Sequence, residues 1–151
     1  MHLRGVQGAL YRWLMRYLPM SLALGALNRG RPIEQLLGGF EEAGRRGVRY
    51  VVITPAPDGV YYISRTAVED TMELDRHDGL LYPSDDAFYP EDADSEGART
   101  VGTASTPEAA IELAERELNA DPRWWVNLGM LGYEYRDYVA RGRPLGPWQP
   151  S

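Results

Sequence analysis

Residues 48–66 read VRYVVITPAPDGVYYISRT, and this stretch decides the fold. The runs 48–54 and 60–66 are dense in β-branched and aromatic side chains, which suit a pleated, half-buried surface. Between them lies PAPDG, two prolines and a glycine, the composition of a chain reversal. The reading is a β-hairpin. Residues 67–75 are read as a third strand. Gly79, Pro83, Pro90 and Gly97 forbid a long regular element after it, so 76–97 is read as one long loop. Residues 98–104 then return as a strand.

Helical signals flank this core. Upstream, Leu3, Val6, Leu10, Trp13, Leu14, Tyr17 and Leu18 fall at helical spacing, with Arg4, Gln7, Arg12 and Arg16 mostly off the stripe. That pattern describes a basic amphipathic helix over 2–18, docked on the domain or lying on a membrane surface or in a partner's groove. A short helix is expected at 20–28. Pro32 suits the first turn of a further helix with Ile33, Leu36, Leu37 and Phe40 as its buried face, ended by Gly44 or Gly47. Downstream, Thr106 caps a helix with Pro107 at its first position and Glu108 and Glu112 near its positive end, running to about Asn119. Asp121-Pro122 opens a second helix to about Arg141, striped by Trp124, Leu128, Leu131, Tyr135 and Tyr138. From Gly142 the sequence GRPLGPWQPS reads as a flexible Pro/Gly-rich tail.

Helices, strands, then helices predict an α+β fold: a small antiparallel sheet, made of the hairpin 48–66 and a strand near 98–104, packed with N-terminal and C-terminal helices on one face. At 151 residues and 44% apolar composition the chain is long enough for a single cored domain. The expected division is a domain over 1–141, with a helical N-terminal segment 1–47 and the acidic loop 76–97, followed by the tail 142–151. The apolar run 17–28 follows three arginines as a signal peptide would. Pro19 interrupts it, and twelve residues fall short of the roughly 20 that span a bilayer. The expectation is a cytoplasmic protein with no membrane span.

Charge is segregated along the chain. Residues 1–49 hold eight arginines against three acids, and residues 50–96 hold two against twelve. Residues 66–96 alone carry eleven acids and one basic side chain, Arg76. A stretch so charged belongs on the surface, facing water, a cation or a basic partner. With a net charge of −6 the whole molecule is expected to repel nucleic acid unless the basic N-terminal third acts alone. All sixteen basic residues are arginine, whose planar fork makes directional contacts. The absence of cysteine excludes disulfides, thiolate metal sites and cysteine nucleophiles.

The acidic stretch supports several chemistries. Asp92, Asp94 and Glu96 alternate ahead of Gly97, as oxygen ligands do in a calcium loop. The match to an EF-hand stops at Thr103, where a bidentate glutamate is needed. Carboxylates at Asp85, Asp86, Glu91, Asp92, Asp94 and Glu96, interleaved with Tyr82, Phe88 and Tyr89, have the makings of a surface that enters a basic cleft. Immunity proteins and toxin inhibitors use surfaces of this kind. Trp124 and Trp125 are adjacent, so on a helix they diverge and one is free to serve as an interface anchor. His77, within Asp75-Arg76-His77-Asp78, is the candidate for acid–base chemistry in a small enzyme. Helices before a Pro/Gly-tipped hairpin also suggest a winged-helix DNA binder. Its reading helix, however, would offer Glu34, Glu41 and Glu42 to the phosphates. The reading adopted is a non-enzymatic protein-binding module of inhibitor or immunity type, without cofactor, engaging a basic protein partner through its acidic surface.

Overall fold

The computed structural model describes residues 16–70, 88–89 and 98–150. In chain order the elements are helix α1 (Met20–Asn28), strands β1 (Ile33–Glu42), β2 (Arg45–Pro55), β3 (Tyr61–Glu69) and β4 (Ala98–Ala104), helix α2 (Pro107–Leu118), strand β5 (Val126–Asn127), helix α3 (Leu131–Ala140) and strand β6 (Gly146–Pro147). The strands form one six-stranded sheet ordered β4-β3-β2-β1-β5, with β6 also on the outer edge of β1. Every strand pairing is antiparallel, and the fold is α+β as the sequence predicts.

The hairpin at the centre forms as read. Pro55 faces Tyr61, and the turn between them is closed by Ala56 N to Val60 O at 2.9 Å and Val60 N to Asp58 Oδ1 at 3.0 Å. Of the third strand expected at 67–75, residues 67–69 continue β3 and 71–75 lie outside the described residues. The strand at 98–104 is β4. Thr106 caps α2, its Oγ1 accepting from Ala109 N at 3.1 Å, with Pro107 in the first turn. Asn119 ends α2 in the left-handed conformation.

The helix expected from Pro32 is instead β1. Its apolar residues fit a helical period by accident, because both faces of this strand are covered. Ile33 and Leu37 join the core under α1 and α2, while Leu36 joins the core under α3. A register shift between Leu36 and Gly38 adds one residue and breaks the alternation that would have marked a strand. The β1–β2 turn consists of Ala43 (φ 53°) and Gly44 (φ 76°), the two positive φ values of a type I′ turn. With this segment in the sheet, the reading helix of a winged-helix protein is not formed.

The second C-terminal helix is also shorter than expected. Residues 121–130 form a turn and β5, and only Leu131–Ala140 is helical. The tail is not loose. Trp148 is 5% exposed and packs edge-on against Tyr138 at 5.7 Å, while its backbone N donates to Leu37 O at 2.9 Å. The Gly38-Gly39 pair of β1 makes room for it. A Cβ on Gly39 would stand 2.0 Å from Tyr138 Oη, and one on Gly38 would stand 2.1 Å from Gly146 O.

The sheet is therefore the middle of three layers, with helices on both faces rather than on one. One face carries Ile33, Val51, Ile53 and Ile63 beneath α1 and α2. The other carries Leu36, Val48, Tyr50 and Val68 beneath α3 and Trp148. Of the basic helix expected at 2–18, only residues 16–18 are described. Tyr17 bridges to Val126, and its ring meets Trp124 edge-on at 5.3 Å. Among the described residues no helix is long and apolar enough to cross a membrane.

Candidate functional site

Strand register places Arg49 and Arg65 on the face covered by α1 and α2. Arg49 pairs with Ala67 and Arg65 with Val51, so the two arginines are diagonal neighbours on adjacent strands. From Arg65 toward the hairpin turn this face continues with Val51, Ile53 and Ile63, all fully buried. α2 ends at Leu118, and beyond it the sheet face changes character from aliphatic to arginine and aromatic.

Three guanidinium groups and three rings interleave there. Arg49 lies over Phe40 at 3.8 Å, Arg45 over Phe88 at 4.1 Å and Arg65 over Tyr89 at 5.5 Å. Phe40 meets Phe88 edge-on at 4.7 Å and stacks with Tyr89 at 6.4 Å. Gly47 is what lets the rings down onto the sheet. It pairs with Phe40 across the β1–β2 ladder, and a Cβ there would stand 2.3 Å from the Phe40 ring. Phe88 is fixed in addition by its backbone N, which donates to Ala67 O at 2.9 Å. Tyr89 Oη donates to Glu42, and Arg45 pairs with Glu69.

Beside this cluster a cleft of ≈ 380 Å³ opens between the sheet and the end of α2. Arg49 and Arg65 line it together with Leu37, Leu118, Pro147 and Glu117. Arg49 takes part in no ion pair among the described residues, and its Nε is buried there without a hydrogen-bond partner.

The contact residues expected from sequence fare differently. Phe88 is 3% exposed, so it holds its own chain to the sheet and offers nothing to a partner. Tyr89 is half-buried beside it. Trp125 is fully buried in the core under α1 and α2, and Trp124 is buried against Tyr17, so neither presents a surface anchor. They diverge as expected, but into two apolar clusters. His77, Tyr82, Asp85, Asp86, Glu91, Asp92, Asp94 and Glu96 lie outside the described residues. Among the described residues no group of three or more His, Asp or Glu side chains is placed to hold a metal. The arginines at 45, 49 and 65 were not singled out by the sequence reading. Their signal was there: two arginines at positions whose register matches valine and isoleucine on the inward face of the hairpin.

The opposite face buries three carboxylates. Glu34 accepts from the backbone N of Gly129 at 3.2 Å and from that of Leu131, at the start of α3. Burial pushes its pKa up to about 7, against the pull of these two donors. Glu134 accepts from Trp148 Nε1 at 2.7 Å, with the Arg16 guanidinium 3.6 Å away. Burial raises its pKa too, opposed by the Tyr17 and Trp148 donors. Asp70 accepts from Tyr135 Oη at 2.5 Å and pairs with Arg143. These acids tie α3, the tail and the sheet together on the face opposite the cleft, and each is occupied in holding structure. Compared with known protein families, with curated proteins and with solved structures, the chain has no match.

Proposed function

We propose that this chain is a non-enzymatic protein-binding module of inhibitor or immunity type, and that it engages a basic partner through its acidic segment. The observation that supports this is the seat of Phe88 and Tyr89. These two residues stand in the middle of the acidic stretch, and they are fixed by a backbone hydrogen bond, by packing on Phe40 over Gly47, and by Arg45. Asp86 and Glu91 are each two residues from the fixed pair. A segment held at its centre gives up less conformational entropy on binding than one held only at its ends. Charge of one sign raises the rate of encounter with a basic surface.

The test uses the protein as bait in an extract of its native host, followed by association kinetics on the partner recovered. Binding is expected to weaken with salt. Replacing Asp85, Asp86, Asp92 and Asp94 together by Asn should slow association and flatten its salt dependence. Phe88→Ala should weaken binding while leaving all the charges in place. An on-rate unchanged by the fourfold replacement would overturn the reading.

A further inference from the structure

We propose that the cleft at the end of α2 is a binding site for a small organic monocarboxylate with an apolar body. The floor supplies the charge. Arg49 and Arg65 stand on rigid neighbouring strands, and both contribute to the lining. The Arg49 Cζ lies over the Phe40 ring at 3.8 Å, so the ring covers one side of the guanidinium and an acceptor is left to meet it at its N–H groups. A planar carboxylate matches those groups with two parallel hydrogen bonds. Arg49 has the capacity to spare: no described carboxylate pairs with it, and its buried Nε is without a partner among the described residues.

The walls select the rest of the ligand. Leu37, Leu118 and Pro147 line the cleft with apolar surface, suited to a hydrocarbon or aromatic body. Glu117 and the carbonyl end of α2 also border the cleft, and both are negative. They disfavour a doubly charged phosphate and tolerate a single charge placed against the arginines. A volume of ≈ 380 Å³ lies at the lower end of the range for small-molecule sites, roughly 300–1,000 Å³. This site adjoins the proposed acidic interface but depends on different side chains, because its chemistry is that of the arginines.

The experiment titrates the full chain with benzoate, its neutral isostere benzamide and inorganic phosphate at constant ionic strength. It reads thermal stability and the amide spectrum. Benzoate should give a saturable rise in Tm and shift the amides of Gly38, Arg49 and Asn119. Benzamide and phosphate should give little. Arg49→Gln should weaken benzoate binding about tenfold or more, as loss of a charge-assisted bond implies. Arg49→Lys keeps the charge without the fork and should also bind more weakly. Each variant is first shown to keep the wild-type amide pattern away from the cleft. No saturable effect of benzoate, an equal effect of benzamide, or full binding by folded Arg49→Gln would each overturn the proposal. So would benzoate binding that appears only after Asp85, Asp86, Asp92 and Asp94 are changed to Asn, since the cleft's occupant would then be the protein's own carboxylate.

Discussion

Replacing Glu34 by Gln should change the pH dependence of stability more than the stability itself. Glu34 sits on β1 between Val52 and Val126, 6% exposed, and its carboxylate accepts two backbone N–H groups at the start of α3. Met130, at the N-cap of α3, provides no side-chain cap, so the neighbouring strand supplies it. Burial raises the Glu34 pKa from 4.5 to about 7. The folded state therefore holds this proton more tightly than the unfolded chain. The resulting stability is fully present below the unfolded pKa and is lost as pH rises through the folded one. The rise from 4.5 to about 7 corresponds to about 3 kcal/mol across that window. Glutamine keeps an oxygen acceptor for the two N–H groups and removes the ionisation. At about pH 5 the variant should match wild type within about 1 kcal/mol, and at about pH 8 it should be the more stable by up to about 3 kcal/mol. Urea unfolding across this range measures both, and the difference between the two proteins cancels histidines and other shared titrations. A variant destabilised equally at both ends would refute the reasoning, because the carboxylate would then be ionised throughout and its charge stabilising.

Two further perturbations test the packing. Trp148→Ala should cost about 3–5 kcal/mol, the range for emptying a buried tryptophan site, and Trp148→Phe should cost less while leaving Glu134 short of a donor; chemical denaturation with helical and aromatic signals reads both. Ala43→Gly should raise stability by up to about 1 kcal/mol, because alanine at φ 53° carries left-handed strain that outweighs the extra freedom of glycine in the unfolded chain; a drop in the urea midpoint would contradict the type I′ turn.

The sequence was legible where a strand or helix announces itself locally. The central hairpin, the strand at 98–104 and the capped helix from Thr106 all form because turn chemistry, branching and capping agree there. β1 was not legible, because both of its faces are covered and a bulge at Gly38 shifts its alternation, so four apolar residues fell on a helical period. Its turn, Ala43-Gly44, lacks the Asn or Asp that would have marked a type I′ reversal. The tail from Gly142 misread for a different reason. Its composition is that of a linker, and what docks it is one tryptophan and the space left by Gly38-Gly39, neither of which shows in local pattern. Trp124 and Trp125 were expected on a helix. The short strand after them instead sends both into apolar clusters, which removes them as anchors.

Charge segregation along the chain has a spatial counterpart that sequence alone did not show. Arg45 and Arg49, from the basic third, gather with Arg65 at one end of the sheet, and the centre of the acidic segment is seated among them. The proposed partner interface and the proposed ligand cleft therefore meet at one place but depend on different side chains. The acidic interface needs the seat of Phe88 on Phe40 and Gly47, which is apolar and steric. The cleft needs the guanidinium edge of Arg49. Arg49→Gln should thus weaken carboxylate binding about tenfold or more and leave partner association unchanged, and Phe88→Ala should weaken partner association and leave carboxylate binding unchanged. If both variants lost both properties together, the two would be one site, with the acidic segment itself as the ligand of the arginines. Separate losses in the two variants would show that the arrangement of arginine and aromatic side chains serves function and not only packing.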